Sequence, residues 1–325
     1  MEKLRNKTIL TTGGAGFIGS HLCEELINLG AKVICVDNFS TGKKENISHL
    51  LKNKKFVLIK ADVNEMKEIS RVFARHKIDY IFHYAAVVGV KRVLENPLVE
   101  LPDIFGIKNI LELSRKYKVK KIIFSSSSEA YGFSTELPLK EDSGKELLYN
   151  KSDKVHLYAL VKLMGERMMK TYNDFYGLPT CSLRFFNVFG PRQESSAYGF
   201  VVGVFIKQIL NNQRPTVFGA GYQTRDFIYV KDNVRLAIKA LISPKTNGQL
   251  INIGSGRQTT IIGLAERLIR ISGKKLKPKF IKSRGYEIMY RSPDTQKMKK
   301  LLGEKIKDNL DKNLKITYEW YFGRE

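Results

Sequence analysis

Tyr158 and Lys162 stand four residues apart in Tyr158-Ala159-Leu160-Val161-Lys162. On a helix that spacing puts both side chains on one face, one turn apart. A phenol beside an ammonium has its phenolate stabilised, so its pKa falls and the tyrosine becomes a base near neutral pH. A second group of hydroxyls lies upstream, in Phe124-Ser125-Ser126-Ser127-Ser128-Glu129-Ala130-Tyr131-Gly132, directly after the apolar run Lys121 to Phe124. If that run is a buried strand, the serines sit at its C-terminal edge, where parallel sheets bind their ligands. Taken alone, a surface Tyr–Lys pair and a serine-rich turn would explain these residues equally well. A third feature removes that symmetry.

The third feature opens the chain. Lys7 to Thr12 reads as a buried strand. It is followed at once by Gly13-Gly14-Ala15-Gly16-Phe17-Ile18-Gly19, then by a helix over His21 to Gly30 and a second strand, Ala31 to Val36, that ends on Asp37. A glycine triplet between strand and helix is the fingerprint of a dinucleotide site. Gly13 permits the tight turn, Gly16 lets the backbone approach a pyrophosphate on the helix N-terminus, and Gly19 lets helix and strand pack closely. Asp37 stands about twenty residues on, where a carboxylate accepts the ribose 2′-hydroxyl and repels a 2′-phosphate, which favours NAD over NADP.

These pieces need a scaffold, and the sequence describes one. Phe56 to Ile59 reads as a strand ending at Asp62, Ile78 to Phe82 as another ending at His83, and Asp103 to Lys116 as a helix. Strands alternating with helices imply an α/β fold of Rossmann type, a doubly wound parallel sheet whose ligands lie beyond the strand ends. Beyond Tyr176, glycines and prolines interrupt shorter strands. We therefore expect an NAD-binding domain over 1–177 and a smaller C-terminal α/β substrate domain over 178–325, with a segment near 226–255 returning to the first.

Composition bounds the rest. At 325 residues, 43% hydrophobic and 27% charged, the chain can bury a full core and has ordinary globular make-up. No stretch approaches the roughly twenty apolar residues of a membrane span, and Met1 to Arg5 leads directly into the first strand, so neither membrane nor leader is expected. Cys23, Cys35 and Cys181 lack metal-ligand spacing, which points to no metal and a reduced, cytoplasmic protein. The net charge of +24 would suit nucleic acid, but the lysines are dispersed without interleaved aromatics, so an anionic small substrate is the expected partner.

With these motifs in this order, the chain resembles the extended short-chain dehydrogenase/reductase family acting on nucleotide sugars. The resemblance rests on Gly13 to Gly19, Asp37-Asn38, Asp62-Val63, His83 to Ala86, Ser125 to Gly132, Tyr158 to Lys162, Arg184 to Arg192 and Gln223 to Val230. It implies that Tyr158 takes a proton from a sugar hydroxyl, usually at C4, while hydride passes to NAD. Lys162 would lower the tyrosine pKa and bind the cofactor ribose, and Ser127 would hold the reacting oxygen. Phe17 and Ile18 belong to the cofactor turn. Asp62 and Val63 would neighbour the adenine, and Ala85 and Ala86 the cofactor phosphates. Asn187, Arg225 and Arg284 would meet the sugar-nucleotide diphosphate, Val217-Phe218 the base, and Arg192 and Arg291 would also belong to the substrate site. A homodimer through the helices at 103–116 and 158–172 is implied as well. One departure stands out: where the family often has Asn-x-x-Gly-Thr, this chain reads Asp103-Ile104-Phe105-Gly106-Ile107. His83 is expected to be structural.

The family's reactions diverge after the 4-keto intermediate. Ser128-Glu129 resembles the GDP-mannose dehydratases and UDP-glucuronate decarboxylases, and Arg291 sits where the decarboxylases have a catalytic arginine. Gly190-Pro191-Arg192-Gln193 followed by Tyr198 to Val202 looks epimerase-like. The order of preference is a UDP-sugar 4-epimerase, then a decarboxylase, then an NDP-sugar 4,6-dehydratase, with a UDP-sugar ahead of GDP- or dTDP-sugars. A non-catalytic NAD-binding protein would be expected to have lost Tyr158 or Lys162, and both are present.

Overall fold

A computed structural model describes residues 4–87, 95–96, 98–132, 134, 136–143, 156–196, 199–283 and 288–324. Seven parallel strands form the central sheet: β1 (Thr8–Thr12), β2 (Lys32–Asp37), β3 (Phe56–Lys60), β4 (Tyr80–His83), β5 (Lys121–Ser127), β6 (Thr180–Phe185) and β11 (Gln249–Ile253). Their spatial order is β11-β6-β5-β4-β1-β2-β3. The chain winds outward in both directions from β1 and β4, so a crevice opens at the C-terminal ends of these two strands. The Rossmann-type α/β architecture expected from the strand–helix alternation is the one observed.

Both faces of the sheet are covered, which is why its strands are apolar without a period of two. On one face α1 (Phe17–Asn28) packs beside α6 (Val230–Ile242), joining Leu22 and Leu26 to Val234, Ala237 and Leu241. On the other lie α2 (Met66–Arg75), α3 (Asp103–Lys116) and α4 (His156–Tyr176), where Ile69, Phe73, Ile107, Ile110, Val161 and Met169 share a core with Ile81 and Ile122. Gly165 makes the approach of α4 to the sheet close enough to hold Tyr158 and Lys162 in place: a Cβ there would lie 2.5 Å from the Phe124 ring.

The boundary expected at 178 needs correction. Strand β6 lies just past it, yet it pairs with β5 along Ile122↔Thr180 to Ser127↔Phe185, and β11 then pairs with β6. The segment near 226–255 also differs in detail. Its first strand, β10 (Phe227–Tyr229), pairs not with the central sheet but with β7 (Asn187–Phe189), while β11 supplies the return. A second core gathers α5 (Val201–Leu210), α7 (Ile261–Ser272), α9 (Leu310–Phe322) and β8 (Thr216–Phe218). Phe17 and Ile18 pack against that core, so it closes over the glycine turn.

Candidate active site

The glycine turn is built as its sequence demands. Gly13 has φ +68°, and a Cβ on it would fall 2.7 Å from the Ala85 amide nitrogen. A Cβ on Gly19 would fall 2.1 Å from the Gly13 carbonyl oxygen, so only glycine lets α1 start this close to β1. On Gly16 the nearest atom, again the Gly13 carbonyl oxygen, would be 3.1 Å away, a milder contact at the start of α1. No side chain caps that helix, so its first amides are left for an anion.

Asp37 closes the turn from the far side. It is buried, accepting from the Ala15 amide through Oδ2 at 2.9 Å and from the Phe39 amide through Oδ1 at 2.8 Å. Burial raises its pKa and the two amides oppose that rise. Asn38 reaches the Asp62 carboxylate at 2.9 Å, and Asn109 holds the Val63 and Asn64 carbonyls at 3.0 Å each, which fixes the next strand end. At β4, Thr12 Oγ1 accepts the Tyr84 and Ala85 amides at 3.1 and 3.2 Å and lies 2.8 Å from His83 Nδ1. With two amides on its lone pairs, the hydroxyl directs its proton to Nδ1. Burial and the Lys162 charge bring the His83 pKa down to about 3, so this imidazole is neutral and structural.

The chemical end of the cavity lies between β5 and α4. β5 continues through Ser127, so the serines belong to the strand itself, with alternate residues facing opposite ways. Ser126 turns to Glu166 on α4, whereas Ser127 hydrogen-bonds Tyr158. Lys162 is buried and donates to the Ser125 carbonyl at 2.8 Å, with its Nζ 5.5 Å from the Tyr158 ring centroid. Burial draws its pKa down to about 8 against the pull of Asp103, Glu100 and Glu166. Tyr158 departs from expectation. Burial pushes its phenol above the ordinary range, Glu100, Glu129 and Asp103 push the same way, and the Ser127 hydrogen bond opposes them. Desolvation outweighs the ammonium here, because the helical spacing leaves Lys162 over the ring rather than on the hydroxyl.

One cavity of about 700 Å³ joins these parts, within the ~300–1,000 Å³ range of ligand sites. Its walls include Gly13, Gly16, Phe17, Ile18, Gly19, Asp37, Asn38, Asp62, Val63, Ala85 and Ala86 at one end. Ser127, Glu129, Tyr158, Lys162, Asn187 and Arg192 line it further along. Four other expected substrate contacts stand outside its lining. Val217 is fully buried in the second core, with no surface left for a ligand, so its side chain is a core residue. Phe218 follows it on β8. Arg225 donates through Nη1 to the Thr224 and Ile288 carbonyls, 2.8 Å each. Arg291 is buried, ion-paired with Glu129 and donating to the Gly132 carbonyl at 3.0 Å. Arg284 lies outside the described residues.

Two features escaped the sequence reading. Arg184, fully buried on β6, forms a two-pronged ion pair with Glu166 at 2.7 and 2.6 Å and lies 4.4 Å from the Tyr131 ring centroid. Glu100 is fully buried in the cavity wall, with neither carboxylate oxygen hydrogen-bonded among the described residues. An arginine within an apolar strand was the signal for the first; nothing local marked the second.

Residues 9–254 match the model of the NAD dependent epimerase/dehydratase family. The chain belongs to this family. A putative UDP-glucose 4-epimerase of Methanocaldococcus jannaschii is 35% identical over 96% of this chain and 97% of its own length. A UDP-N-acetyl-alpha-D-glucosaminuronate decarboxylase of Bacillus cytotoxicus is 38% identical over 97% and 98%. The crystal structure of the Thermotoga maritima UDP-glucose 4-epimerase with UDP-glucose superimposes with a TM-score of 0.89 at 34% identity, covering 98% of this chain and 99% of that one. The family member described here is thus an NAD-dependent enzyme that modifies nucleotide sugars. None of its described helices is long and apolar enough to cross a membrane.

Proposed function

We propose that this enzyme is a UDP-sugar 4-epimerase acting through a 4-keto intermediate. The cavity fits NAD: glycines stand where a Cβ would strike backbone, the uncapped start of α1 offers amides to the pyrophosphate, and Asp37 offers its carboxylate to a ribose. Asn38, Asp62 and Val63 would hold the adenosine half, Ala85 and Ala86 the phosphates, and Lys162 the second ribose. NAD held there would supply a reversible hydride acceptor for C4. Tyr158 takes the C4 hydroxyl proton and gives it back, and Ser127, already hydrogen-bonded to Tyr158, holds the same oxygen. Asn187 and Arg192 would grip the diphosphate.

The observation that carries the choice of reaction is the pairing of Arg291 with Glu129. A decarboxylase needs a cation for the C6 carboxylate, and a dehydratase needs an acid or base at C5. Here the two candidates neutralise each other, and Arg291 gives its other bond to Gly132. That supports an epimerase, which asks for neither. Glu129 of that pair lines the cavity, and a 38% identical relative is a decarboxylase, so decarboxylation of a UDP-uronate is the second reading. Proton NMR of the anomeric region, with UDP-glucose, UDP-N-acetylglucosamine, UDP-glucuronate and GDP-mannose tested separately, decides between them. We expect an equilibrium mixture of C4 epimers, abolished by Tyr158→Phe. Carbon dioxide release or a 6-deoxy-4-keto product would overturn the assignment.

The apolar residues Leu101, Phe105, Leu160 and Met164 on and beside α3 and α4 are exposed, at 42%, 60%, 47% and 50%. They support a homodimer across these two helices. The three cysteines are free and buried, which supports a reducing, cytoplasmic setting.

A further inference from the structure

Glu100 is a buried carboxyl group that the reaction above does not use. It precedes α3, is fully buried, lines the cavity and, among the described residues, has no hydrogen-bond donor on either oxygen. An ionised carboxylate so placed is strongly disfavoured. Asp103, one turn on, occupies the position where the family pattern has asparagine. It differs from Glu100 in having donors: the Val87 amide at 3.0 Å and the Asn64 side chain.

The groups around the pair come from four elements. Tyr158 and Lys162 face it from α4, and Asp62 faces Asp103 from the loop after β3. Glu129, after β5, acts on Tyr158, while His83 on β4 is neutral. Glu166 is taken by Arg184 and Ser126. Among the described residues, then, the cation shared by Glu100 and Asp103 is Lys162. Two ionised carboxyls against one ammonium would leave a net charge in a dry site; one retained proton balances it.

We propose that Glu100 and Asp103 hold one proton between them, resting on Glu100, and together form the counter-ion that keeps Lys162 an ammonium. At neutral pH Asp103 alone balances the lysine. As pH rises, Glu100 releases its proton to solvent before Lys162 does, and its new charge then holds the ammonium in place. The resting of the proton on Glu100 and not on Asp103 agrees with burial, which raises Glu100 to about 8 and Asp103 to about 6. Glu100 is thus a positioning residue, acting on the reaction through Lys162.

Two measurements on the full-length, NAD-loaded protein test this. Infrared difference spectra of wild type against Glu100→Gln, without substrate, should show a protonated carboxylic-acid band at neutral pH that disappears on alkaline titration. Absence of that band overturns the proposal. The second measurement rests on the epimerase reading: in kcat/KM against pH, Glu100→Gln should move the alkaline limb down by about one unit, a tenfold loss at a fixed pH above it. Asp103→Asn should move it the same way and serves if the first variant folds poorly. A limb that stays put in a folded variant, with activity scaled equally at every pH, overturns the counter-ion role. A carboxylic-acid band in a protein that turns over no sugar nucleotide would leave the shared proton intact and remove the functional assignment instead.

Discussion

The buried Arg184–Glu166 pair fixes the helix that carries the chemistry, and its removal should be measurable in both stability and turnover. Glu166 lies one turn beyond Lys162 on α4, with side-chain exposure of 8% against 0% for Arg184. Two charge-assisted bonds at 2.7 and 2.6 Å cross from β6 to α4, with Ser126 of β5 on the same carboxylate. Arg184→Met leaves Glu166 buried with one hydroxyl as its donor, and Glu166→Gln leaves a buried guanidinium without its counter-charge. Breaking one side of such a pair costs about 3–5 kcal/mol, because the partner's desolvation is no longer offset. Replacing both sides with apolar residues of similar volume is often nearly neutral. The double variant Arg184→Met/Glu166→Leu should therefore be more stable than either single one, with a coupling of roughly 2–3 kcal/mol. Urea denaturation followed by circular dichroism gives the four free energies, and epimer formation gives turnover. The single variants should lose kcat more than KM, since α4 shifts Tyr158 without touching the nucleotide contacts. Additive effects, or single losses below about 1 kcal/mol, would refute the idea that this pair positions the helix.

Three further outcomes follow from the same geometry. Gly19→Ala, whose Cβ would meet the Gly13 carbonyl, should lose about 1–3 kcal/mol and its NAD, whereas Gly16→Ala should fold normally and lose only NAD affinity; equal melting temperatures for the two would contradict this. Because the folded pKa of Glu100 lies above its unfolded value of 4.5, its contribution to stability is full below that pH and is lost as pH rises through about 8. Glu100→Gln should remove this decline, seen by comparing urea midpoints of both proteins near pH ~6 and pH ~9, and parallel declines would exclude it. Met164→Glu places a charge in the exposed apolar face of α4, and sedimentation should then report a monomer that still binds NAD; an unchanged mass would place the dimer contact elsewhere.

What was legible in the sequence was local. Gly13, Gly16, Gly19 and Asp37 declare a strand, turn, helix and strand within one continuous segment, and Tyr158 and Lys162 need only a helix between them. Long-range pairing left no such mark. β6 is buried along its whole length although Thr180, Ser182 and Arg184 are polar, so it shows no in–out alternation, and nothing in Thr180 to Phe185 says that β5 is its neighbour. For that reason the boundary fell at 178, in the middle of the sheet. Charged residues were harder still, because an arginine looks the same in sequence whether it meets a ligand or the protein. Arg192 lines the cavity while pairing with Glu24, Arg225 serves backbone carbonyls, Arg184 anchors α4, and Arg291 is matched by a glutamate 162 residues away in sequence. Glu100 shows the limit most clearly. Its type suggests a solvated surface; only the folded chain takes it out of water and brings it within the field of Lys162. A carboxylate with no donor can persist there only by keeping its proton, and the aspartate in the family's asparagine position then supplies the charge that Lys162 requires.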